Sequence, residues 1–205
     1  MSSYRPISVL PSLSKVLEKL IYSRVMSFLD GNNILCNEQF GFRKNRSTYM
    51  AGLDVIDFIT SGFNNKELTL GIFVDLSKAF DTVNHNILLQ KLYHYGIRGM
   101  ALNLLKSYLA CRKQLVVVDG HTSQSLAISC GVPQGSILGP LLFLLYINDL
   151  PYCTRRLKFC LFADDTSILF KSNDLFSSEC MINSDLCIIS RWFQANKLSL
   201  NVDKN

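Results

Sequence analysis

The sequence predicts an α+β fold in which helices pack against a mainly antiparallel sheet. Three observations predict it. Apolar residues recur at helical spacing in several stretches, short and partly β-branched apolar runs stand between turn residues, and two of those runs lie close enough in sequence to pair as a hairpin. With 48% apolar and 18% charged residues over 205 positions, the chain fills one sizeable domain or two small lobes, which excludes disorder as its main character. No internal repeat, low-complexity tract or linker divides it.

The first element is an amphipathic helix: Leu13, Val16, Leu17, Leu20, Ile21 and Phe28 share one face, and the pattern stops at Asp30-Gly31-Asn32. A second helix opens near Ser47, carries Met50, Leu53, Ile56 and Ile59, and is expected to end at Gly62. After the turn-like Asn64-Asn65 the period changes, and Leu68 to Val74 reads as a buried strand ending at Asp75. Asn84 caps a helix bearing Ile87, Leu88, Leu92 and Tyr95 that closes near Gly96, and Met100 to Tyr108 makes another. Two strands follow, Gln114 to Val118 and Ser125 to Cys130, around a turn containing Gly120. Gly139-Pro140 then opens a helix that is apolar on every face, and so buried, with Pro151 closing it. Leu157 to Phe162 and Ser167 to Phe170 read as a hairpin with Ala163-Asp164-Asp165-Thr166 at its tip. A long helix from about Leu175 to Ala195 leads to a short strand, Leu198-Ser199-Leu200.

Composition excludes several classes. No apolar N-terminal region ends in a small-residue cleavage site, and Ile137 to Ile147 is too short to span a bilayer, so an intracellular protein without a membrane anchor is expected. The seven cysteines are scattered, with no Cys-x-x-Cys pair, which argues against a zinc site or a disulfide framework. A net charge of +5 is concentrated at Arg43, Lys44 and Arg46 and at Arg155, Arg156 and Lys158. Such clusters suit a polyanionic partner or simply a solvated surface.

Asp75 ends one strand and Asp164-Asp165 lie between two others, so three carboxylates can meet at one sheet edge. Like charges that close repel unless a cation intervenes, and an all-oxygen donor set favours Mg²⁺ or Mn²⁺ over zinc. That arrangement serves two-metal phosphoryl transfer. Taken singly, Asp-Asp in a hairpin is ordinary turn chemistry and Asp75 an ordinary strand terminator.

Their neighbours decide between the readings. Arg5-Pro6-Ile7-Ser8, then Gln39-Phe40-Gly41-Phe42-Arg43-Lys44-Asn45-Arg46-Ser47-Thr48, Phe73-Val74-Asp75-Leu76-Ser77-Lys78-Ala79-Phe80-Asp81, Gly131-Val132-Pro133-Gln134-Gly135-Ser136 with Leu138-Gly139-Pro140, Phe162-Ala163-Asp164-Asp165, and Leu198 to Lys204 follow one another in order. Together these blocks resemble the reverse transcriptase domain of non-LTR, LINE-like retrotransposons, related to group II intron enzymes, over nearly the whole chain. They look like that family's opening block, its fingers block, and polymerase motifs A, B, C and D.

The resemblance implies a right-hand polymerase architecture, with fingers mainly before about residue 70 and a palm after, treated as one domain over 1–205. It implies Asp75 and Asp164 as ligands of two Mg²⁺ ions, Asp165 as the supporting carboxylate and the backbone carbonyl of Leu76 as a further ligand. Phe80 would be the steric gate that collides with a ribose 2′-OH; without its block it would read as a core aromatic. Gln134 and Gly135 would pack against the incoming nucleotide, or form a plain turn before a helix. Arg43 and Arg46 would hold the triphosphate, and Lys204 would protonate the departing pyrophosphate. The implied partners are an RNA template, a DNA primer and deoxynucleoside triphosphates, with no membrane, and a nuclear or cytoplasmic place of action follows by analogy alone. The match opens in the first fingers block and closes in motif D, so a thumb, the primer grip and an upstream endonuclease are expected to be missing. A catalytically silent nucleic-acid-binding remnant is the alternative; a palm-like cyclase or phosphohydrolase would leave the fingers block, Phe80 and Gln134 unexplained.

Overall fold

The structure, a computed structural model, describes residues 7–201. Helices α1 (Ser12–Gly31) and α2 (Thr48–Asn64) precede strand β1 (Leu68–Val74), and α3 (His85–His94) and α4 (Gly99–Leu109) follow it. Four short strands come next, β2 (Lys113–Gln114), β3 (Val117–Val118), β4 (His121–Thr122) and β5 (Leu126–Ala127). The chain continues through α5 (Leu138–Ile147), a 3-10 turn (Leu150–Tyr152), β6 (Lys158–Phe162), β7 (Asp165–Ser172) and α6 (Leu175–Ala195). The main sheet has the order β1-β7-β6 and is antiparallel throughout, as the α+β reading expects.

Helix α5 lies at the centre. Nine of its residues, all but Pro140, are buried, as an apolar helix without a polar face requires. Its N-cap is Ile137, a side chain that accepts no hydrogen bond, so the first amides of the helix need another acceptor. The carboxylate of Glu18, 2% exposed on α1, accepts from the Ile137 amide at 2.7 Å, the Leu138 amide at 3.3 Å and the Tyr108 hydroxyl at 3.0 Å. A negative charge at a helix N-terminus also meets the positive end of the macrodipole. Ser136 Oγ accepts from the Gly139 amide at 2.8 Å. At the other end Lys91 Nζ, on α3, donates to the Tyr146 carbonyl and pairs with Asp149, both at 2.6 Å. Burial pulls the Lys91 pKa down, and Asp149 opposes that shift.

Several sequence expectations change here. On α1, Leu13, Val16, Leu17 and Leu20 are more than half exposed, while Glu18, Ile21 and Leu29 are buried. Both stripes have helical spacing, and the demand of α5 for an acceptor turns the Glu18 stripe inward. On α2, Met50, Leu53, Ile56 and Ile59 are likewise exposed. That helix does start at Ser47, whose side chain accepts from the Met50 amide, but it passes Gly62. A Cβ at Gly62 would fall 2.3 Å from Thr69 Oγ1, so this glycine serves a close approach to β1 rather than a stop. The helix closes at left-handed Lys66, with the Glu67 amide reaching back to the Gly62 carbonyl at 2.9 Å.

Strand β1 has the expected bounds but is an edge strand paired only with β7, and Phe73 is 70% exposed. The two strands expected after α4 are shorter ladders of one hairpin, β2 with β5 and β3 with β4, turning at Asp119-Gly120 with positive φ at both. Helix α5 ends at Ile147, and Pro151 lies in the 3-10 turn beyond it. Residues 198–200 form an isolated antiparallel bridge, Leu76 with Leu200, instead of a strand.

Removing the α5 acceptor should be costly. Glu18→Ala leaves buried amides unanswered and is expected to lower the unfolding free energy by about 1–3 kcal/mol. Leu17→Ala, on the exposed stripe, should change it by less than about 0.5 kcal/mol. Urea denaturation of both variants checks the pair.

Candidate active site

Register brings the acidic residues to one end of the sheet. β1 runs antiparallel to β7 with Val74 opposite Thr166, so the next step of the ladder sets Asp75 toward Asp165. β6 and β7 pair through Phe162 and Asp165, which leaves a two-residue turn, Ala163-Asp164, in place of the expected four-residue tip. β7 therefore starts at Asp165, two residues earlier than its apolar run predicts, because ladder pairing continues through a charged residue at the sheet edge. Ala163 has φ 57°, a left-handed backbone that an L side chain adopts at a cost.

The Asp75 segment is tied down by the end of the chain. The Ser77 amide donates to the Ser199 carbonyl and the Asn201 amide to the Asp75 carbonyl, both at 2.9 Å. These bonds flank Leu76 and leave its own carbonyl out of the bridge, the geometry of a non-hydrogen-bonded antiparallel pair. The Asn201 side-chain amide also donates to Asp75 Oδ2 at 2.9 Å.

On the other side, the 35–47 loop presses against the Ala163-Asp164 turn. Gln39 and Leu161 form a parallel bridge, with the Phe40 amide donating to the Leu161 carbonyl and the Leu161 amide to the Glu38 carbonyl, each at 2.8 Å. The buried Gln39 Oε1 accepts from the Ala163 amide at 3.0 Å and from the Gly41 amide at 2.8 Å. A Cβ on Gly41 would fall 2.3 Å from the Ala163 nitrogen, which only glycine avoids.

The loop before α5 packs against the segment that follows Asp75, with the Val132 amide donating to the Phe80 carbonyl at 2.8 Å. Gly131, with φ 87°, lies so near Asp81 that a Cβ would sit 2.7 Å from its carbonyl oxygen. Gly135, with φ 93°, packs against Ile7 and Ser8, and the Ser8 amide donates to the Gln134 carbonyl at 2.8 Å. Gln134 Nε2 donates to both carboxylate oxygens of Asp81, at 2.9 and 3.0 Å. Phe80, half-buried, stacks on Phe143 of α5 with centroids 4.6 Å apart and meets the exposed Phe42 edge-on at 6.3 Å. Its ring is thus fixed against the core on one face.

Several of the basic residues have partners within the protein. Arg43 Nη1 donates to the Cys36 carbonyl at 2.6 Å, and Arg46 Nη1 to the Asn37 carbonyl at 3.0 Å while its guanidinium lies over Phe40. Burial, then the neighbouring Arg46, lowers the Arg43 pKa. Arg156 makes a two-pronged pair with Asp185, and Lys158 pairs with Asp54 at 2.7 Å. These two ion pairs, partly open to solvent, join β6 and the segment before it to α6 and α2. Lys204 lies outside the described residues. Among the described residues, no group of three or more Asp, Glu, His or Cys side chains is gathered closely enough to hold a metal ion. The oxygen donors at the sheet end nonetheless match a hard divalent cation in chemistry.

Comparison with known proteins decides the family. The profile of the reverse transcriptase (RNA-dependent DNA polymerase) family matches residues 1–205. The chain belongs to the reverse transcriptase family. It is 34% identical over 211 residues to the RNA-directed DNA polymerase from mobile element jockey of Drosophila melanogaster, covering all of this chain and 23% of that protein. It is 35% identical over 208 residues to the probable RNA-directed DNA polymerase from transposon X-element of the same organism, again covering 23% of that protein. The chain thus spans about a quarter of the length of these curated relatives. In fold it is similar to telomerase from Candida tropicalis in complex with a fragment of telomeric RNA, with a TM-score of 0.64 at 13% identity over 94% of this chain and 33% of that one. Telomerase from Candida albicans gives a TM-score of 0.60 at 13% identity with the same coverage. Reverse transcriptases as a family are polymerases that use divalent metals, and the relatives named above are RNA-directed DNA polymerases of non-LTR elements.

Three residues of this reverse transcriptase domain escaped the sequence reading as site residues: Gln39, Asp81 and Asn201. Each stands inside a recognised block, which is the one signal that pointed to them; neither periodicity nor charge marks a carboxamide as a clamp.

The close approach of the 35–47 loop is directly testable. Gly41→Ala should cost about 1–3 kcal/mol through overpacking against the Ala163 backbone. Gly52→Ala, in α2 with nothing within 4 Å of the added carbon, should instead raise stability by up to about 1 kcal/mol. Thermal melts of the two single variants, moving in opposite directions, check both.

Proposed function

We propose that this domain is the catalytic core of an RNA-directed DNA polymerase of a non-LTR retrotransposon, adding deoxynucleotides to a DNA primer on an RNA template. The observation that carries the reading is the register that draws Asp75, Asp164 and Asp165 to one end of the sheet. Residues before about 70 act as fingers and those after as palm, and the place of action is the nucleus or cytoplasm.

Asp75 and Asp164, with Asp165 in support and the Leu76 carbonyl beside them, would hold two Mg²⁺ ions, or Mn²⁺, which when bound supply activation of the primer 3′-OH and neutralisation of the leaving pyrophosphate. The reaction is attack of that hydroxyl oxygen on the α-phosphorus of the nucleotide, with cleavage of the bond to the β-phosphate bridge. The protein contributes mainly position. Phe80, held by stacking on Phe143, presents an immobile ring where a ribose 2′-OH would have to fit. Gln134, oriented by Asp81, and Gly135, which brings backbone close, shape the floor under the nucleotide. Arg43 and Arg46 are drawn into their loop through one Nη1 each, and the guanidinium fork has further donors for the triphosphate. Lys204 is the proposed proton donor to pyrophosphate. The internal pairing of Arg156 and Lys158 removes part of the charge argument for a silent nucleic-acid-binding remnant.

Primer extension on an RNA template tests the reading. Asp164→Asn should reduce extension by about 10³-fold or more at unchanged melting temperature, since fixed charge at the reacting centre is among the largest catalytic effects; extension retained in that variant sinks the assignment. Phe80→Ala should raise ribonucleotide use relative to deoxynucleotide use by roughly tenfold or more, because a pocket that no longer excludes the hydroxyl discriminates poorly. The ratio of kcat/KM values for the two nucleotide classes reads it.

A further inference from the structure

We propose that Gln39 is a positioning residue that sets the backbone of the Ala163-Asp164 turn and with it the place of the Asp164 carboxylate. The inference rests on the polymerase reading of Asp164 and adds to it a residue from a distant loop. Ala163 takes the first central position of a two-residue hairpin turn with φ 57°, where glycine, asparagine or aspartate is the usual occupant. An alanine there relaxes toward ordinary φ unless its surroundings prevent it. Gln39 provides that restraint. Its side chain, 2% exposed, accepts from the Ala163 amide at 3.0 Å and stands 3.5 Å from the Ala163 carbonyl through Nε2, so both faces of the strained residue meet one carboxamide.

The clamp is itself braced. Gln39 Oε1 also accepts from the Gly41 amide at 2.8 Å, and the backbone of residue 39 bridges to Leu161 of β6. Gly41 brings its loop into contact with the Ala163 nitrogen. Nothing in this set carries charge. A neutral amide can hold the turn without competing for the Asp164 carboxylate, as a lysine or arginine in its place would.

Two variants and two readouts test the assignment. Gln39→Leu removes the acceptor at similar volume, while Gln39→Glu keeps an oxygen for the Ala163 and Gly41 amides. Amide exchange followed by NMR should show Ala163 exchanging at least about tenfold faster in Gln39→Leu, with Ile168 in the middle of β7 unchanged and Gln39→Glu retaining protection. Mn²⁺ titration, read as paramagnetic broadening of the Asp164 signal, should show weaker binding in Gln39→Leu than in the unmodified domain. In primer extension, the same variant should lose kcat with KM for the deoxynucleotide little changed. Unaltered Ala163 exchange in a folded Gln39→Leu overturns the proposal, as does faster exchange with unaltered Mn²⁺ binding, which would make Gln39 a structural residue only. If the unmodified domain fails to extend a primer, the polymerase reading fails separately, and the exchange and Mn²⁺ results still decide the role of Gln39.

Discussion

Burying a helix on every side leaves its terminal amides and carbonyls without water, and the rest of this domain is arranged around answering them for α5. Each answer comes from a different element. Glu18 of α1 takes the first amides, Ser136 takes that of Gly139, and Lys91 of α3 reaches the Tyr146 carbonyl. Asn148, just past the helix, accepts from the Cys36 amide and donates to the Ile34 carbonyl, while the Tyr146 hydroxyl donates to the Asn196 carbonyl beyond α6. Unmade buried hydrogen bonds cost more than made ones return, so these contacts fix the relative placement of their elements more firmly than apolar packing alone would. The loop that precedes α5 is anchored to the same rigid helix, as the nucleotide floor proposed for it would require.

Around the acidic end of the sheet a second regularity appears. Carboxamides occupy three key places: Gln39 at the Ala163 peptide, Asn201 at Asp75 and Gln134 at Asp81. A basic residue in place of Asn201 or Gln134 would bind its carboxylate more strongly and would also neutralise it, and one in place of Gln39 would have no acceptor for the Ala163 amide. Amides hold acidic side chains and their backbone in place while leaving the negative charge available, as the proposed cation-binding role of Asp75 would require.

Much of this was legible in the sequence, and what was not has a common cause. The bounds of β1 and α6, the caps at Ser47 and Asn84 and the burial of α5 follow from interactions within one element: backbone propensity, a side chain bonding an amide three residues on, an apolar surface with no polar side. Facing and pairing do not. Leu13, Val16, Leu17 and Leu20 make a better apolar stripe than the one actually buried, yet Glu18 decides the orientation because its partners lie more than a hundred residues away at Ile137 and Leu138. The place of Asp75 after a strand and of Asp164 in a hairpin turn was readable because strand ends and turns are local features, whereas Gln39 contacts Leu161 across a parallel bridge that no local pattern announces.

The same distinction governs how the net charge of +5 should be understood. Counted along the chain, the cations form two clusters that suit a polyanion; placed in the fold, many are already engaged. Arg156 and Lys158 pair with Asp185 and Asp54, Lys91 with Asp149, and Arg43 and Arg46 hold backbone carbonyls of their own loop. Arg98 and Arg112 lie over Tyr93 and Tyr108. A cation already paired with a carboxylate releases fewer counterions when a nucleic acid arrives, so Arg156, Lys158 and Lys91 contribute less to the salt-dependent part of binding than unpaired cations do. For the polymerase reading, exposed lysines such as Lys15, Lys19 and Lys44 are better placed to meet template and primer phosphates. The paired cations do a different job: they hold α2, α3 and α6 to the sheet and to α5, and so keep the acidic end where the chemistry would occur.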